Sequence, residues 1–373
     1  MKTCDATWTF DCPCKNTQIK KKKGEVPLTV LPKDFYVRPE DFGILYYSRL
    51  NTPVFFQSFF QEATVDHKSN FILSAPILVI LEITDRCNLN CIHCYKSEGS
   101  QARKNGEELK FKTVKRLVAD FKEMQVVGVQ FTGGEPFLHE DLVEMLRESK
   151  KQGLKTEVVT NGYKINESTI VKSSRLIDGL FVSIDGTRET HNQIRRTLCF
   201  DSSLRVLREF SERGVYTTAI MTLNRLNYSD ISRVYELVSD AGARELILKR
   251  MLTVGRGKEA KSISFEEPFL PGLEATMRTI ENSRTQINFA ARCVETSGPF
   301  TFFGCPGGRT QIVINCNGNV SRCLYKEESE NIVGNIYTSR FREIWQKNND
   351  ALEVRGCKCC EYSDRCGGLC SLH

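Results

Sequence analysis

The stretch ILVILEITDRCNLNCIHCY, residues Ile77 to Tyr95, decides how the rest of the chain is interpreted. Its first eight residues form an apolar run rich in β-branched side chains, which predicts a strand. Directly after that run come Cys87, Cys91 and Cys94, all within eight residues. The sequence therefore places three thiols, which are soft metal ligands, in the loop that follows one strand.

The chain beyond this loop alternates β-rich runs with amphipathic helical patterns. After Ile77 to Thr84, strands are predicted at Val129 to Thr132, Thr156 to Thr160, Gly179 to Asp185, Tyr216 to Leu223 and Glu245 to Leu252. Helices are predicted at Lys112 to Val127, Glu140 to Gln152, a short segment after Thr160, Ser202 to Arg213 and Ser229 to Asp240. Six strand-helix units are typical of a parallel sheet curved into a barrel, so the predicted fold class is α/β, a partial (β/α)6 TIM barrel.

Unusual residues follow each of the first four predicted strands. The cysteine loop follows the first, GGEP (Gly133 to Pro136) the second, TNG (Thr160 to Gly162) the third, and Asp185 with Gly186 the fourth. A glycine pair or Asn-Gly alone usually marks only a turn. Because parallel strands carry functional groups at their carboxyl ends, four such features at one edge predict a functional site there.

The composition limits the classes of protein to consider. A chain of 373 residues with 40% hydrophobic content can bury a large core, and its sequence shows neither a membrane-length apolar stretch nor a signal-peptide pattern. We therefore expect a cytoplasmic protein with no membrane partner. The 52 basic residues nearly balance the 46 acidic ones, and the basic run Lys20 to Lys23 lacks neighbouring aromatic residues. No nucleic-acid partner is expected.

Cysteine is the unusual residue type, with 16 cysteines against five histidines. In a chain of this length without a secretory signal, so many cysteines favour metal ligation over a disulfide framework. Iron-sulfur clusters and all-cysteine zinc are both compatible with soft ligands. A 4Fe-4S cluster has four irons, so Cys87, Cys91 and Cys94 would leave one iron open. A zinc or redox loop is the alternative for these three.

The spacing C-x3-C-x2-C, followed directly by Tyr95, resembles the signature of the radical S-adenosylmethionine (SAM) superfamily. The resemblance implies that Cys87, Cys91 and Cys94 hold a 4Fe-4S cluster whose open iron binds the amino and carboxylate groups of SAM. One electron from the reduced cluster would then cleave SAM and give a 5'-deoxyadenosyl radical. The resemblance also implies SAM contacts from Tyr95, Gly133, Gly134, Glu135, Ser183, Asp185 and Arg195.

The resemblance implies a role for each of these SAM contacts, and several of them also have a simpler structural explanation. Gly133, Gly134 and Glu135 would receive the methionine ammonium, while Ser183 and Asp185 would contact ribose and methionine. Arg195 would pair with the SAM carboxylate, or else be an exposed helix charge. Tyr95 would support adenine or merely pack. Two further residues keep two possible roles each. His191 is either catalytic or a packing or supporting residue, and Asn161 is either a ligand or, more often, a turn residue.

The C-terminal cysteines carry a second resemblance. Cys305, then Gly318-x4-Cys323, then Cys357-x2-Cys360-x5-Cys366-x3-Cys370 resembles the SPASM extension of radical SAM peptide-modifying enzymes. That extension implies two auxiliary 4Fe-4S clusters. The first would be ligated by Cys305, Cys323 and Cys370, with Cys316 as the favoured fourth ligand, and the second by Cys357, Cys360 and Cys366.

The second auxiliary cluster departs from the family pattern, which usually supplies another cysteine after the residue that corresponds to Cys370. No cysteine follows Cys370 in this sequence. The fourth iron of the second auxiliary cluster would be open or bound by Cys359, a carboxylate or a cysteine from elsewhere. One of Cys4, Cys12 and Cys14 could supply that cysteine. For these three residues, however, a separate metal site or the absence of any ligand role is favoured. Cys199 and Cys293 are expected to be ordinary buried cysteines.

Three regions are expected: an N-terminal segment over 1–75, the radical SAM core over 76–290 and a SPASM domain over 291–373. Within the first, Phe35 to Arg49 resembles the hairpin of small domains that bind leader peptides, or it caps the barrel or edges the sheet.

The resemblance favours an enzyme that modifies a ribosomally made peptide, through a thioether, carbon-carbon or related bond. It implies a peptide substrate with a leader sequence, and a low-potential flavodoxin or ferredoxin as electron donor. A small-molecule enzyme, such as a haem-pathway decarboxylase, and an electron carrier are alternatives. A sulfatase-maturase-like enzyme is disfavoured, because Leu324 stands where those enzymes have Asp.

Overall fold

The structure, a computed structural model, describes residues 35–40, 43–48, 58–62, 73–96, 106–265, 273, 276–277, 279–280, 285–290, 306–325 and 331–350. The first three segments are the strands β1 (Phe35–Glu40), β2 (Gly43–Ser48) and β3 (Ser58–Glu62). They form an antiparallel sheet in the order β1-β2-β3, with Phe35 opposite Ser48 and Gly43 opposite Glu62. The predicted hairpin is therefore present in the backbone.

A second, larger sheet has ten strands. In chain order they are β4 (Leu78–Thr84), β5 (Gly128–Gly133), β6 (Lys155–Thr160), β7 (Gly179–Ser183), β8 (Tyr216–Leu223), β9 (Glu245–Arg250), β10 (Gln286–Ala290), β11 (Gln311–Ile314), β12 (Asn319–Ser321) and β13 (Ile332–Asn335). Their order across the sheet is β10-β9-β8-β7-β6-β5-β4-β11-β12-β13. Strands β4 to β10 pair in parallel, so their carboxyl ends share one edge.

Seven α-helices are described along the chain. They are α1 (Phe111–Glu123), α2 (Leu142–Lys151), α3 (Glu167–Ser174), α4 (Arg188–Arg195), α5 (Phe200–Glu212), α6 (Ile231–Asp240) and α7 (Phe341–Asp350). Their apolar residues recur at helical spacing, as in α1, which buries Val114, Leu117, Val118 and Phe121. Helices of this kind cover the sheet, which explains why all seven residues of β4 are buried.

The sheet continues across the expected boundary at residue 291. Strand β11 pairs in parallel with β4, with Gln311 opposite Leu78, and β12 and β13 then add antiparallel. Helix α7 is fixed to the segment before β4, because the fully buried Trp345 donates from Nε1 to the carbonyl of Leu73 at 2.9 Å. Residues 306–350 therefore extend the core sheet directly.

The predicted α/β partial barrel is confirmed, with an open sheet whose outer strands are β10 and β13. The six predicted strands are all present, and their helices lie within a few residues of the expected bounds. Arg195 lies on a helix, α4, as one of its two expected roles implied, whereas the bounds of that helix and the seventh parallel strand, β10, were not predicted. Across the described residues, no helix is long and apolar enough to cross a membrane.

Candidate active site

The cysteine loop follows β4 at the carboxyl edge of the sheet. Cys91 is buried, Cys87 and Cys94 are partly exposed, and all three belong to one contact cluster with Leu89 and Cys199. Hydrogen bonds to the backbone of the loop fix its position. The N–H of Ile92 donates to the carbonyl of Ile194 at 3.0 Å, and the side chain of Arg256 donates from Nε to the Cys91 carbonyl at 3.0 Å. The structure therefore brings the three predicted thiols together.

The arrangement of these thiols bears on which metal they could hold. Among the described residues, no three Cys, His, Asp or Glu side chains converge on the position of a single ion. A mononuclear zinc site needs such convergence. In a 4Fe-4S cubane each thiolate binds a different iron, so its ligands surround the cluster instead. Three thiols in one short loop therefore fit a cubane that has one iron open.

Gly133 and Gly134 allow the next strand end to approach this loop closely. The N–H of Gly134 donates to the Thr84 carbonyl at 2.7 Å, and the N–H of Glu135 donates to the Arg86 carbonyl at 2.8 Å. A Cβ on Gly134 would lie 2.2 Å from the Arg86 oxygen, and one on Gly133, whose φ is +144°, would lie 2.3 Å from the Thr84 oxygen. Both positions therefore require glycine.

Glu135 joins the GGEP segment to the TNG segment. Its buried carboxylate accepts from the Thr160 hydroxyl at 2.7 Å, the Asn161 N–H at 2.8 Å and the Phe137 N–H at 3.2 Å. Burial raises the pKa of Glu135 to about 7, against these three hydrogen bonds, which lower it. Asn161 in turn donates from Nδ2 to Asn88 Oδ1 at 2.9 Å, which ties it to the cysteine loop.

Asp185 and Arg195 form a buried ion pair beside Cys91. Oδ2 of Asp185 accepts from Arg195 Nε and Nη2, each at 2.6 Å, and Arg195 Nη1 lies 3.6 Å from the Cys91 sulfur. Burial alone would raise the pKa of Asp185, but the Arg195 guanidinium, together with His93, His191 and the N–H of Thr222, lowers it. The side chain of Arg195 is only 9% exposed, which excludes the alternative of an exposed helix charge.

The other strand-end residues occupy supporting positions. His191 accepts at Nδ1 from the N–H of Asp185 at 3.0 Å, and its Nε2 lies 3.3 Å from the Cys199 sulfur. Burial lowers the pKa of His191 to about 3, so the ring is neutral near pH 7. Ser183, the last residue of β7, is half-buried two residues before Asp185. Cys199 is buried, as expected.

A charged network that sequence reasoning missed surrounds Tyr95. Its hydroxyl donates to Glu82 Oε1 at 2.7 Å, while Lys96 Nζ lies 3.0 Å from Glu82 Oε1 and 2.6 Å from Asp85 Oδ1. The rings of Tyr95 and Tyr325 meet edge to face at 5.4 Å. Glu82 could have indicated this network from the sequence, because a carboxylate inside an apolar strand needs a hydrogen-bond or charge partner.

The structure places Cys316 in this network. Cys316 Sγ donates to Asp85 Oδ2 at 2.8 Å, and burial, reinforced by that bond, raises the pKa of the thiol. Cys316 lies in the turn after β11, and Cys323 lies two residues beyond the end of β12.

The remaining predicted ligands lie outside the described residues. They are Cys305, Cys357, Cys360, Cys366 and Cys370. The cysteines without an assigned ligand role that also lie outside the described residues are Cys4, Cys12, Cys14, Cys293 and Cys359.

Two protein-family models match the chain. The radical SAM superfamily model matches residues 81–238, and the SPASM model, an iron-sulfur cluster-binding domain, matches residues 305–370. The fold and the site define an open α/β partial barrel with three thiols grouped at its carboxyl edge. The chain carries a radical SAM superfamily domain followed by a SPASM domain.

The curated relatives include a heme synthase and a mycofactocin maturase. The AdoMet-dependent heme synthase of Methanosarcina barkeri is 28% identical over 329 residues, 79% of this chain and 91% of that protein. Mycofactocin maturase MftC of Mycobacterium tuberculosis is 26% identical over 315 residues, 80% of this chain and 79% of that protein. Fe-coproporphyrin III synthase of M. barkeri is 29% identical over 205 residues, which is 54% of this chain. The chain spans about half (51%) of the length of that relative.

Solved structures show the same fold. Streptococcus suis SuiB bound to S-adenosylmethionine superimposes with a TM-score of 0.71, at 15% identity, over 92% of this chain and 96% of SuiB. SAM and iron-sulfur clusters are the cofactors that the two matched domains imply.

Proposed function

We propose that the protein modifies a ribosomally synthesised peptide by radical SAM chemistry, forming a thioether, carbon-carbon or related bond. The observation that carries the proposal is the three-thiol loop and its polar surroundings in a chain that also has a SPASM domain. SAM on the open iron of a reduced cluster supplies the radical that abstracts hydrogen from the substrate. The similarity to mycofactocin maturase supports a peptide substrate.

The N-terminal sheet gives the peptide a place to bind. SuiB bound to its precursor peptide SuiA superimposes over 92% of this chain, a share that must include part of residues 1–72. Strands β1 and β3 are the outer strands of the small sheet, and each has one side without a strand partner among the described residues. An extended leader peptide can add to such an edge through main-chain hydrogen bonds.

The chain's own residues would hold the SAM-binding cluster through Cys87, Cys91 and Cys94. Among the proposed SAM contacts, Gly133 and Gly134 would offer backbone carbonyls to the ammonium, since the N–H of Gly134 is already bonded to Thr84. Glu135 accepts three hydrogen bonds and retains room for one more donor. Tyr95 and Ser183 complete the proposed set, and Asp185, whose carboxylate is buried against Arg195, would support the site from behind.

The SPASM region would hold two auxiliary clusters, which give the substrate radical an oxidant. Their proposed ligands are Cys305, Cys323 and Cys370 for the first, and Cys357, Cys360 and Cys366 for the second. Cys316 is left out of the first set because it lies with Asp85. A low-potential flavodoxin or ferredoxin would supply electrons. A cytoplasmic location suits this chemistry, since thiolates stay reduced there.

A second candidate function is the decarboxylation of a haem-pathway tetrapyrrole. The match to AdoMet-dependent heme synthase favours it, because that match covers 91% of the relative. The two candidates differ in the size and charge of the substrate, and both use the same SAM-cleaving site.

The deciding experiment compares the two substrates directly. The enzyme is coexpressed with each short peptide encoded beside its gene, and the peptide is examined by mass spectrometry. A mass change that requires Cys87, Cys91 and Cys94 supports the peptide function. In parallel, reconstituted enzyme with SAM and dithionite is given iron coproporphyrin III. Loss of carbon dioxide from the porphyrin, with every peptide unchanged, would overturn the peptide function and support the second candidate.

A further inference from the structure

Arg195, the last residue of α4, holds its guanidinium between a carboxylate and a thiol. Two of its nitrogens, Nε and Nη2, both donate to Oδ2 of Asp185 at 2.6 Å. The third, Nη1, points to the sulfur of Cys91 at 3.6 Å. A guanidinium is a rigid fork, so fixing two nitrogens on Asp185 also fixes where the third one points.

Asp185 is itself held from the opposite side. Its Oδ1 accepts from the N–H of Thr222 at 2.8 Å, and its carbonyl accepts from Asn227 Nδ2 at 2.8 Å. The carboxylate has no exposed surface. His93 Nε2 also lies 3.5 Å from Oδ2. The orientation of Arg195 toward Cys91 is therefore set by two strand ends and does not depend on a bound SAM molecule.

We propose that Arg195 raises the reduction potential of the SAM-binding cluster by placing a buried positive charge and an N–H donor on the sulfur of Cys91. Reduction adds negative charge to the cluster and its sulfurs. Hydrogen bonds to the sulfurs and nearby charge are known determinants of cluster potential. This inference rests on the proposed cluster at Cys87, Cys91 and Cys94. It replaces the expected pairing of Arg195 with the SAM carboxylate.

The two roles of Arg195 predict different measurements. If Arg195 paired with the SAM carboxylate, its loss would weaken SAM binding and leave the potential of the SAM-free cluster unchanged. If it acts on Cys91, its loss shifts the potential before SAM is added. Asp185 would also remain as an unpaired negative charge, which favours the oxidised cluster further.

The test is a redox titration of reconstituted full-length protein without SAM, followed by electron paramagnetic resonance. The SAM-binding cluster is identified as the signal that changes when SAM is then added. For Arg195→Gln we expect the ratio of reduced to oxidised cluster at a fixed potential to fall about tenfold, which is about 59 mV for one electron. The matched control is Arg196→Gln, an equal loss of charge at an exposed neighbouring side chain, which should leave the potential unchanged.

An unchanged potential in Arg195→Gln, or an equal shift in Arg196→Gln, overturns the proposal. If Arg195→Gln loads too little cluster, Arg195→Lys carries the measurement, with a shift of the same sign but smaller size because the charge is kept. Loss of the cluster from both Arg195 variants also overturns it, because a residue that only tunes the potential is not needed for ligation. A wild-type protein without any SAM-responsive signal would instead refute the proposed function.

Discussion

Replacing Gly134 with Ala tests how closely the GGEP segment supports the cysteine loop. The added Cβ would lie 2.2 Å from the Arg86 oxygen, 2.6 Å from the Arg86 carbonyl carbon and 2.7 Å from the Asp85 oxygen. All three are backbone atoms, which cannot rotate away as a side chain could. The two strand ends must therefore separate, only one residue before Cys87.

The expected cost has two parts. Separation weakens the hydrogen bonds from Gly134 to Thr84 and from Glu135 to Arg86, each worth about 1 kcal/mol. Residual overpacking adds about 1 to 3 kcal/mol. We expect the free energy of unfolding to fall by about 3 kcal/mol in total. Because the loop moves, reconstituted Gly134→Ala should also bind about four irons fewer per chain than wild type.

The assay combines guanidinium unfolding of the cluster-free protein with iron analysis after anaerobic reconstitution. Gly153→Ala is the matched control, since Gly153 has a φ of +81° and its added Cβ would meet no atom within 4 Å. It should cost about 1 kcal/mol from its left-handed backbone and leave the iron content unchanged. Wild-type iron content in Gly134→Ala would refute the reasoning.

Three further predictions concern other parts of the molecule. Cys316→Ala should keep the wild-type iron content while Cys323→Ala loses about four irons; equal losses would show that both thiols ligate one cluster. Protonation of His191 should destabilise the fold as pH falls below 6.5 toward about 3, because the unfolded chain takes up the proton first. For each unit by which the pH falls in this range, the free energy of unfolding of wild type should therefore drop by up to about 1.4 kcal/mol more than that of His191→Gln. Parallel plots of unfolding free energy against pH for the two proteins would contradict this. Trp345→Ala should destabilise by about 4 kcal/mol in denaturant unfolding, through a cavity and the lost bond to Leu73; a change below about 1 kcal/mol would contradict the described packing.

Local patterns in the sequence were sufficient to predict much of the fold. The apolar run from Ile77 and the amphipathic spacing in α1 depend on residues that are close in the chain. The glycines at 133 and 134 could be placed at a strand end for the same reason. The bounds of helix α4 could not be predicted because most of its residues are polar, and only His191, Ile194 and Arg195 are buried.

The contacts within the site could not be predicted in the same way. Cys316 reaches Asp85 because β11 pairs in parallel with β4, a register between segments more than 200 residues apart. The burial of Arg195 depends likewise on Asp185 at the end of another strand. Such pairings depend on tertiary structure, and spacing in the sequence carries no record of them.

The central claim is that Cys87, Cys91 and Cys94 hold a cluster that cleaves SAM. It is tested most directly by incubating anaerobically reconstituted protein with dithionite and SAM, and measuring 5'-deoxyadenosine and methionine. Wild type should form both products, whereas the variant with all three cysteines changed to Ala should form neither and retain about eight irons, as two auxiliary cubanes require. Failure of fully loaded wild-type protein to form 5'-deoxyadenosine would contradict the claim.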